Sequence, residues 1–117
     1  MYQAAVDARD PAAPARFWAH VLDYRVILES SDEVVTGVDE NRYPGTVPVP
    51  VAEAKAGKNR LHFDLVPDDQ EAEAARLLAP GAVRVEVGQP ADAGWVVLSD
   101  PEGNEFCVLS PKKSLAE

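Results

Sequence analysis

The sequence holds a single cysteine, Cys107, in 117 residues. One thiol cannot form an internal disulfide, which excludes the stapled scaffold of a small secreted domain. No apolar run approaches the roughly 20 residues needed to span a membrane. Basic residues are scarce, with 11 Lys and Arg against 20 Asp and Glu, a formal net charge of −9. That balance argues against a nucleic-acid partner, whose phosphates need a basic face. It suits a solvated acidic surface and, more weakly, a cationic ligand. Strand-like alternation begins almost at Met1 and leaves no room for a signal peptide, so the cytoplasm is the expected location.

What the chain does have is an ordinary globular mixture, 46% hydrophobic and 26% charged. Its length suits one domain with a real core. Gln3 to Ala8 alternates as a short strand. Asp10-Pro11 then opens a helix over Ala12 to Leu22, in which Phe17, Trp18, Val21 and Leu22 form one apolar stripe. Tyr24 to Glu29 and Glu33 to Val38 read as a hairpin about the Ser30-Ser31-Asp32 turn. Val47, Val49 and Val51 alternate with Pro48 and Pro50, the pattern of an edge strand, because proline cannot donate to a ladder.

After a basic, Gly-containing connector, Arg60 to Val66 gives the clearest strand signal. Asp68-Asp69 caps a second helix over Gln70 to Ala79, stopped by Pro80-Gly81. Val83 to Val87, Trp95 to Leu98 and Glu105 to Leu109 follow as strands, the last two joined by a strong turn at Asp100 to Asn104. The order strand, helix, three strands therefore occurs twice. Asp7 and the capped helix after it are echoed about 57 residues later by Asp64 and its helix. The expected fold class is α+β: two βαβββ modules forming a curved mixed sheet around a cleft, helices outside. Module one spans about 2–53 and module two about 58–110, within a single domain that ends in a frayed tail at 111–117.

Strand side chains alternate between faces. Leu61, Phe63 and Leu65 should pack on a helix, leaving His62 and Asp64 on the opposite side. Glu105 shares a face with Cys107 and Leu109, and Gln3 shares one with Asp7. If the helix-free side curls into a cleft, Gln3, His62 and Glu105 meet there, with Asp7 and Asp64 nearer its rim. Trp95 suits the wall of a small-molecule pocket, and Arg60 can hold an anionic group. Bland alternatives stand beside these readings: a hydrogen-bonded His62, a Glu105 retained by its turn, a packed Cys107, and a Trp95 in a core or interface.

Three segments carry a resemblance. Asp10-Pro11, Ala15-Arg16-Phe17-Trp18 and Leu22-Asp23-Tyr24 make the first. Lys58 through Leu65 makes the second. Trp95 to Leu98 with Asp100 to Leu109 makes the third. Together they resemble glyoxalase-like domains of the vicinal oxygen chelate superfamily, over about Ala4 to Leu109. That superfamily includes glyoxalase I, ring-cleaving dioxygenases, fosfomycin-resistance enzymes and bleomycin-binding resistance proteins. The resemblance implies paired βαβββ modules, often dimeric. In metal-dependent members it implies ligands at the positions of Gln3, His62 and Glu105.

Two departures matter. The stretch Val47 to Val51 lacks the carboxylate that glyoxalase I would place there, with Glu53 displaced, and Asp23 stands where Gly is usual. The first expectation is therefore a binding module of the bleomycin-resistance type that sequesters a small cationic or dicarbonyl-type compound without a cofactor. Its ligand contacts would come from His62, Asp64, Trp95, Cys107 and Arg60. The second is a lyase, isomerase or dioxygenase in which Gln3, His62 and Glu105 hold Zn, Ni, Fe or Mn. The third is a metal-free enzyme using His62 and Glu105 as catalytic acid and base. A homodimer is expected, because Val47 to Val51 reads as an edge that a second copy could cover.

Overall fold

A computed structural model describes residues 1–116. The chain forms two compact units, Met1–Ala56 and a second beginning at Gly57. The first contains β1 (Gln3–Ala8), α1 (Ala12–Leu22), β2 (Arg25–Glu29), β3 (Val34–Gly37) and β4 (Gly45–Pro50). The second contains β5 (Asp64–Leu65), α2 (Gln70–Leu78), β6 (Val83–Arg84), β7 (Trp95–Ser99) and β8 (Glu105–Leu109). Each unit is a four-stranded mixed sheet with one helix. The strand orders, β1-β4-β3-β2 and β5-β8-β7-β6, are the same permutation. The sequence therefore encodes two βαβββ modules, an α+β fold in which the first and last strands of each module pair in parallel.

In the first unit, α1 begins where Asp10 Oδ1 accepts the Ala12 N–H at 3.3 Å. Pro14 sits in the first turn, where its missing N–H is no loss. The stripe expected from periodicity is buried through Ala15, Phe17, Trp18 and Val21. The Phe17 and Trp18 rings meet edge-on with centroids 5.3 Å apart. The helix ends at Asp23, left-handed with φ 56°, and the Tyr24 N–H reaches back to Ala19 O at 2.8 Å.

The edge-strand reading of Val47 to Val51 is corrected. β4 covers Gly45–Pro50 and lies inside its sheet, between β1 and β3. Proline is accommodated by parity. The Gly45 N–H donates to Tyr2 O at 3.0 Å and the Val51 N–H to Ala8 O at 2.9 Å. Odd-numbered residues thus turn their N–H groups to β1. Pro48 and Pro50 are even and face the β3 side, where the ladder covers only Thr36 opposite Thr46. The missing donors are missing where none is needed.

In the second unit, Asp69 caps α2 by accepting the Ala72 N–H at 3.0 Å. Gln70 Nε2 donates to Val108 O at 3.0 Å and to Gly94 O at 3.1 Å, tying the helix start to β8 and to the entry of β7. Three expectations are corrected here. The strand expected over Arg60 to Val66 is confined to Asp64–Leu65, although Phe63 O still accepts the Cys107 N–H at 2.9 Å. Leu61 packs on no helix and is 81% exposed. The strand expected over Val83 to Val87 is Val83–Arg84, with one further bond from the Val85 N–H to Val97 O at 3.0 Å. Among the described residues no helix is long and apolar enough to cross a membrane. The tail expectation extends to Glu117, which lies outside the described residues.

Candidate functional site

The second unit holds a cavity of about 460 Å³. One side is built by β8, whose alternation divides its residues cleanly. Phe106 and Val108 are fully buried on one face. Glu105, Cys107 and Leu109 take the other and line the cavity. β7 adds Trp95 and Val97, and the segment Val87 to Pro90 closes a flank. That segment is held by Gln89, whose Oε1 accepts the Val87 N–H at 2.9 Å.

The strong turn before β8 sets where Glu105 begins. Asp100 is almost fully buried. Its Oδ1 accepts N–H groups from Glu102 and Asn104, each at 2.9 Å, and its Oδ2 accepts Asn104 Nδ2 at 3.1 Å. Gly103 takes φ 88°, which favours glycine. Glu105 is also gripped from the connector. The Asn59 N–H donates to Glu105 Oε2 at 3.2 Å, and Asn59 Nδ2 donates to the Glu105 carbonyl at 3.1 Å. Asn59 was not singled out from the sequence; nothing in a connector residue's type announces a partner 46 positions away.

At the polar end of the cavity, β5 and β8 run parallel with Asp64 opposite Cys107. His62, two residues before Asp64, points the same way, and its Nε2 lies 3.2 Å from Asp64 Oδ1. One donor atom from each of His62, Asp64 and Cys107 lies within 4.8 Å of the other two. Burial pushes the Cys107 thiol above its ordinary value of 9.0; the negative charge of Asp64 and the thiol's hydrogen bond to it push the same way, while Lys58 opposes them. Cys107 is thus a protonated thiol donating to a carboxylate.

Of the residues singled out in the sequence, His62, Asp64, Trp95, Glu105 and Cys107 line this one cavity, joined by Lys58. Arg60 is exposed and is not among the lining residues. Gln3 lies on β1 in the first unit and lines a separate cavity of about 430 Å³ there, with Tyr2, Tyr43, Asp39 and Arg42. An imidazole nitrogen, a carboxylate oxygen and a thiol sulfur are a donor set that suits a borderline-soft divalent ion. The His62–Asp64–Cys107 group therefore fits such an ion, with Cys107 contributing where the resemblance pointed to Glu105.

Comparison with known proteins agrees with the topology. The glyoxalase-like domain family matches residues 3–109, and the chain belongs to it. A search of curated protein sequences finds no match. Among solved structures, the chain is similar to a glyoxalase/bleomycin resistance protein/dioxygenase family enzyme from Burkholderia phytofirmans PsJN. The TM-score is 0.70 at 18% identity, covering 94% of this chain and 97% of that one. It is also similar to an antibiotic binding protein from Streptomyces sp. CB03234, with TM-score 0.65, 16% identity and coverage of 96% and 95%. A lactoylglutathione lyase from Agrobacterium tumefaciens gives TM-score 0.61, 17% identity and coverage of 94% and 92%. Identities this low speak for the shared fold alone.

Proposed function

We propose that this chain binds a small molecule in the cavity of its second unit and sequesters it without turnover. The observation that carries this reading is the cavity's construction. About 460 Å³ lies within the range of small-molecule sites. Val87, Val97, Leu109 and the Trp95 ring give apolar walls, and Lys58, His62, Asp64 and Glu105 converge at the polar part. A compact ligand with a flat apolar body and a cationic or dicarbonyl end matches that division. The ring face attracts a cation, and two carboxylates reinforce the attraction.

Binding is favoured over catalysis because the polar groups are engaged with one another. Asp64 receives the Cys107 thiol and lies against His62. Asn59 holds Glu105. A thiol kept protonated is the reverse of an activated nucleophile. The likeness to an antibiotic binding protein supports the same reading.

The test is a thermal-shift screen in chelator against dicarbonyls, catechols and cationic antibiotics. The expected result is a compound that raises the melting temperature in chelator and is recovered unchanged. A compound that is consumed, or that stabilises only when divalent ions are added, contradicts sequestration.

One observation favours a second reading, a metal-dependent lyase, isomerase or dioxygenase: the grouping of His62, Asp64 and Cys107. His62 would hold the ion with Asp64 and Cys107. A divalent ion held there would supply Lewis-acid polarisation of a substrate oxygen. The residues' own part is to orient the substrate: Trp95 against its body, with Lys58 and Glu105 at its polar end. In the metal-free version His62 and Glu105 serve as acid and base.

The homodimer and the cytoplasmic location belong to the same proposal. With β4 interior, the dimer now rests on β2, an edge strand on which Val26 and Leu28 are exposed. Light scattering at micromolar concentration should give twice the monomer mass, and a monomer contradicts it.

A further inference from the structure

We propose that the segment Glu86 to Pro90 is a flap over the second-unit cavity. Gln89 latches it open, and it closes by extending the β6–β7 ladder to a Val87–Trp95 pair.

The sequence alternates as a strand from Val83 to Val87, yet the ladder stops early. Val83 pairs with Ser99 and Arg84 with Leu98, and the Val85 N–H still reaches Val97 O at 3.0 Å. Continuing that register sets Glu86 opposite Val96 and Val87 opposite Trp95. Backbone groups two residues apart on a strand point to the same edge, so the Trp95 carbonyl faces β6 as the Val97 carbonyl does. It is the acceptor that the Val87 N–H would meet next. Instead that N–H donates to Gln89 Oε1 at 2.9 Å, while Gln89 Nε2 donates to Val85 O at 3.4 Å. One side chain thus takes the bond that would lengthen the sheet. Exchanging it for Trp95 O replaces one hydrogen bond by another, so the two arrangements lie close in free energy.

The segment has freedom and room to move. Gly88 takes φ 86°, and a Cβ there would meet nothing within 4 Å. The anchors lie outside it: the Val85 bond before, and the bond from the Ala93 N–H to Pro90 O at 3.0 Å after. Gln89 and Pro90 line both the main cavity and a further one of about 290 Å³. Closing draws Val87, a lining residue, towards Trp95 and narrows the flank. It also frees the Gln89 carboxamide to bond an occupant. Both gains belong to the closed arrangement alone, which is what a ligand needs in order to shift the equilibrium. That closing encloses a ligand rests on the cavity being the ligand site; the Gln89 latch itself does not.

The experiment is NMR of the full-length chain with no small molecule present, wild type against Gln89→Ala. On closing, Glu86 and Val96 become a pair without mutual hydrogen bonds, with Cα atoms about 4.5 Å apart, close enough for an Hα–Hα nuclear Overhauser contact. The expected result is a strong Glu86–Val96 contact in Gln89→Ala and a weak one in the wild type. The Val87 amide of the variant should still exchange at least about fivefold below its unprotected rate, the factor that one hydrogen bond is worth. The Hα–Hα contact of Val97 with Cys107, partners in the β7–β8 ladder, confirms that each chain is folded. Absence of the Glu86–Val96 contact in Gln89→Ala overturns the latch, as does a contact equally strong in the wild type. An unprotected Val87 amide in the variant overturns it equally. No small molecule enters the measurement, so a failed latch leaves the pocket reading standing, and a failed screen leaves the latch standing.

Discussion

Asp64 and Cys107 face each other across the parallel ladder of β5 and β8, and the Cys107 thiol donates to the Asp64 carboxylate. The contact brings the chain's only thiol to a carboxylate that also lies against His62. It defines the polar end of the cavity.

Burial above all, and the Asp64 carboxylate after it, keep the Cys107 thiol protonated and so unreactive at neutral pH. The folded chain holds the Cys107 proton more tightly than the unfolded chain, whose thiol titrates near the ordinary value of 9.0. Below that value the difference has no effect on stability. As pH rises through it towards the folded value, the unfolded chain releases its proton first and stability falls. Iodoacetamide alkylation, followed against pH in chelator, should have its midpoint above 9.0. Asp64→Asn should lower that midpoint, since a neutral amide removes the repelling charge. An unchanged midpoint in the variant would show that Asp64 does not hold the proton.

Asp100 organises the turn that delivers Glu105. It is 2% exposed and accepts from two backbone N–H groups and one side-chain amide. Asp100→Ala strips partners from three donors at once, and bonds to a charged group are worth about 1.5–3 kcal/mol each before relaxation. Urea unfolding should show a loss of at least about 2 kcal/mol. A loss within 0.5 kcal/mol, about that of an ordinary surface change, would show that water replaces the carboxylate.

Gly45 opens β4 where β3 approaches closely. A Cβ there would sit 2.7 Å from Thr36 O, a backbone atom. Gly45→Ala must push the two strands apart beside the buried Thr36 and Thr46 hydroxyls, which hydrogen-bond one another. The expected cost is about 1–3 kcal/mol, read from the shift in the urea midpoint. An unchanged midpoint would mean that the ladder at Thr36 and Thr46 has slack.

Asp23 ends α1 in the left-handed region at φ 56°. Glycine occupies that conformation without the Cβ penalty. Asp23→Gly should stabilise the chain by about 0.5–1 kcal/mol, raising the melting temperature by a few degrees. A lower melting temperature would indicate that the Asp23 side chain makes a contact worth more than the relieved strain.

The helices and the order of elements were legible in the sequence because they rest on local signals. The Asp10-Pro11 start, the Phe17-Trp18-Val21 stripe and the Asp69 cap each act within a few residues. The cavity face of β8 was legible too, since alternation alone separates Glu105, Cys107 and Leu109 from Phe106 and Val108. What alternation cannot supply is register. It gives the face of Asp64 and the face of Cys107, but not that they are partners, so the thiol read as packing rather than as part of a polar group. Proline misled for a related reason. Pro48 and Pro50 forbid two donors, and whether that makes an edge depends on which neighbour those donors would have faced. Asn59 escaped notice because its two bonds to Glu105 span the length of the module.

The central claim is that the second-unit cavity is the ligand site, and amide chemical-shift mapping of the ¹⁵N-labelled chain tests it most directly. A compound found in the thermal-shift screen should perturb amides at His62 to Asp64, Val87 to Pro90, Trp95 to Val97 and Glu105 to Leu109, saturably and together. Perturbations confined to the first unit, around Tyr2, Gln3 and Asp39 to Gly45, would contradict it.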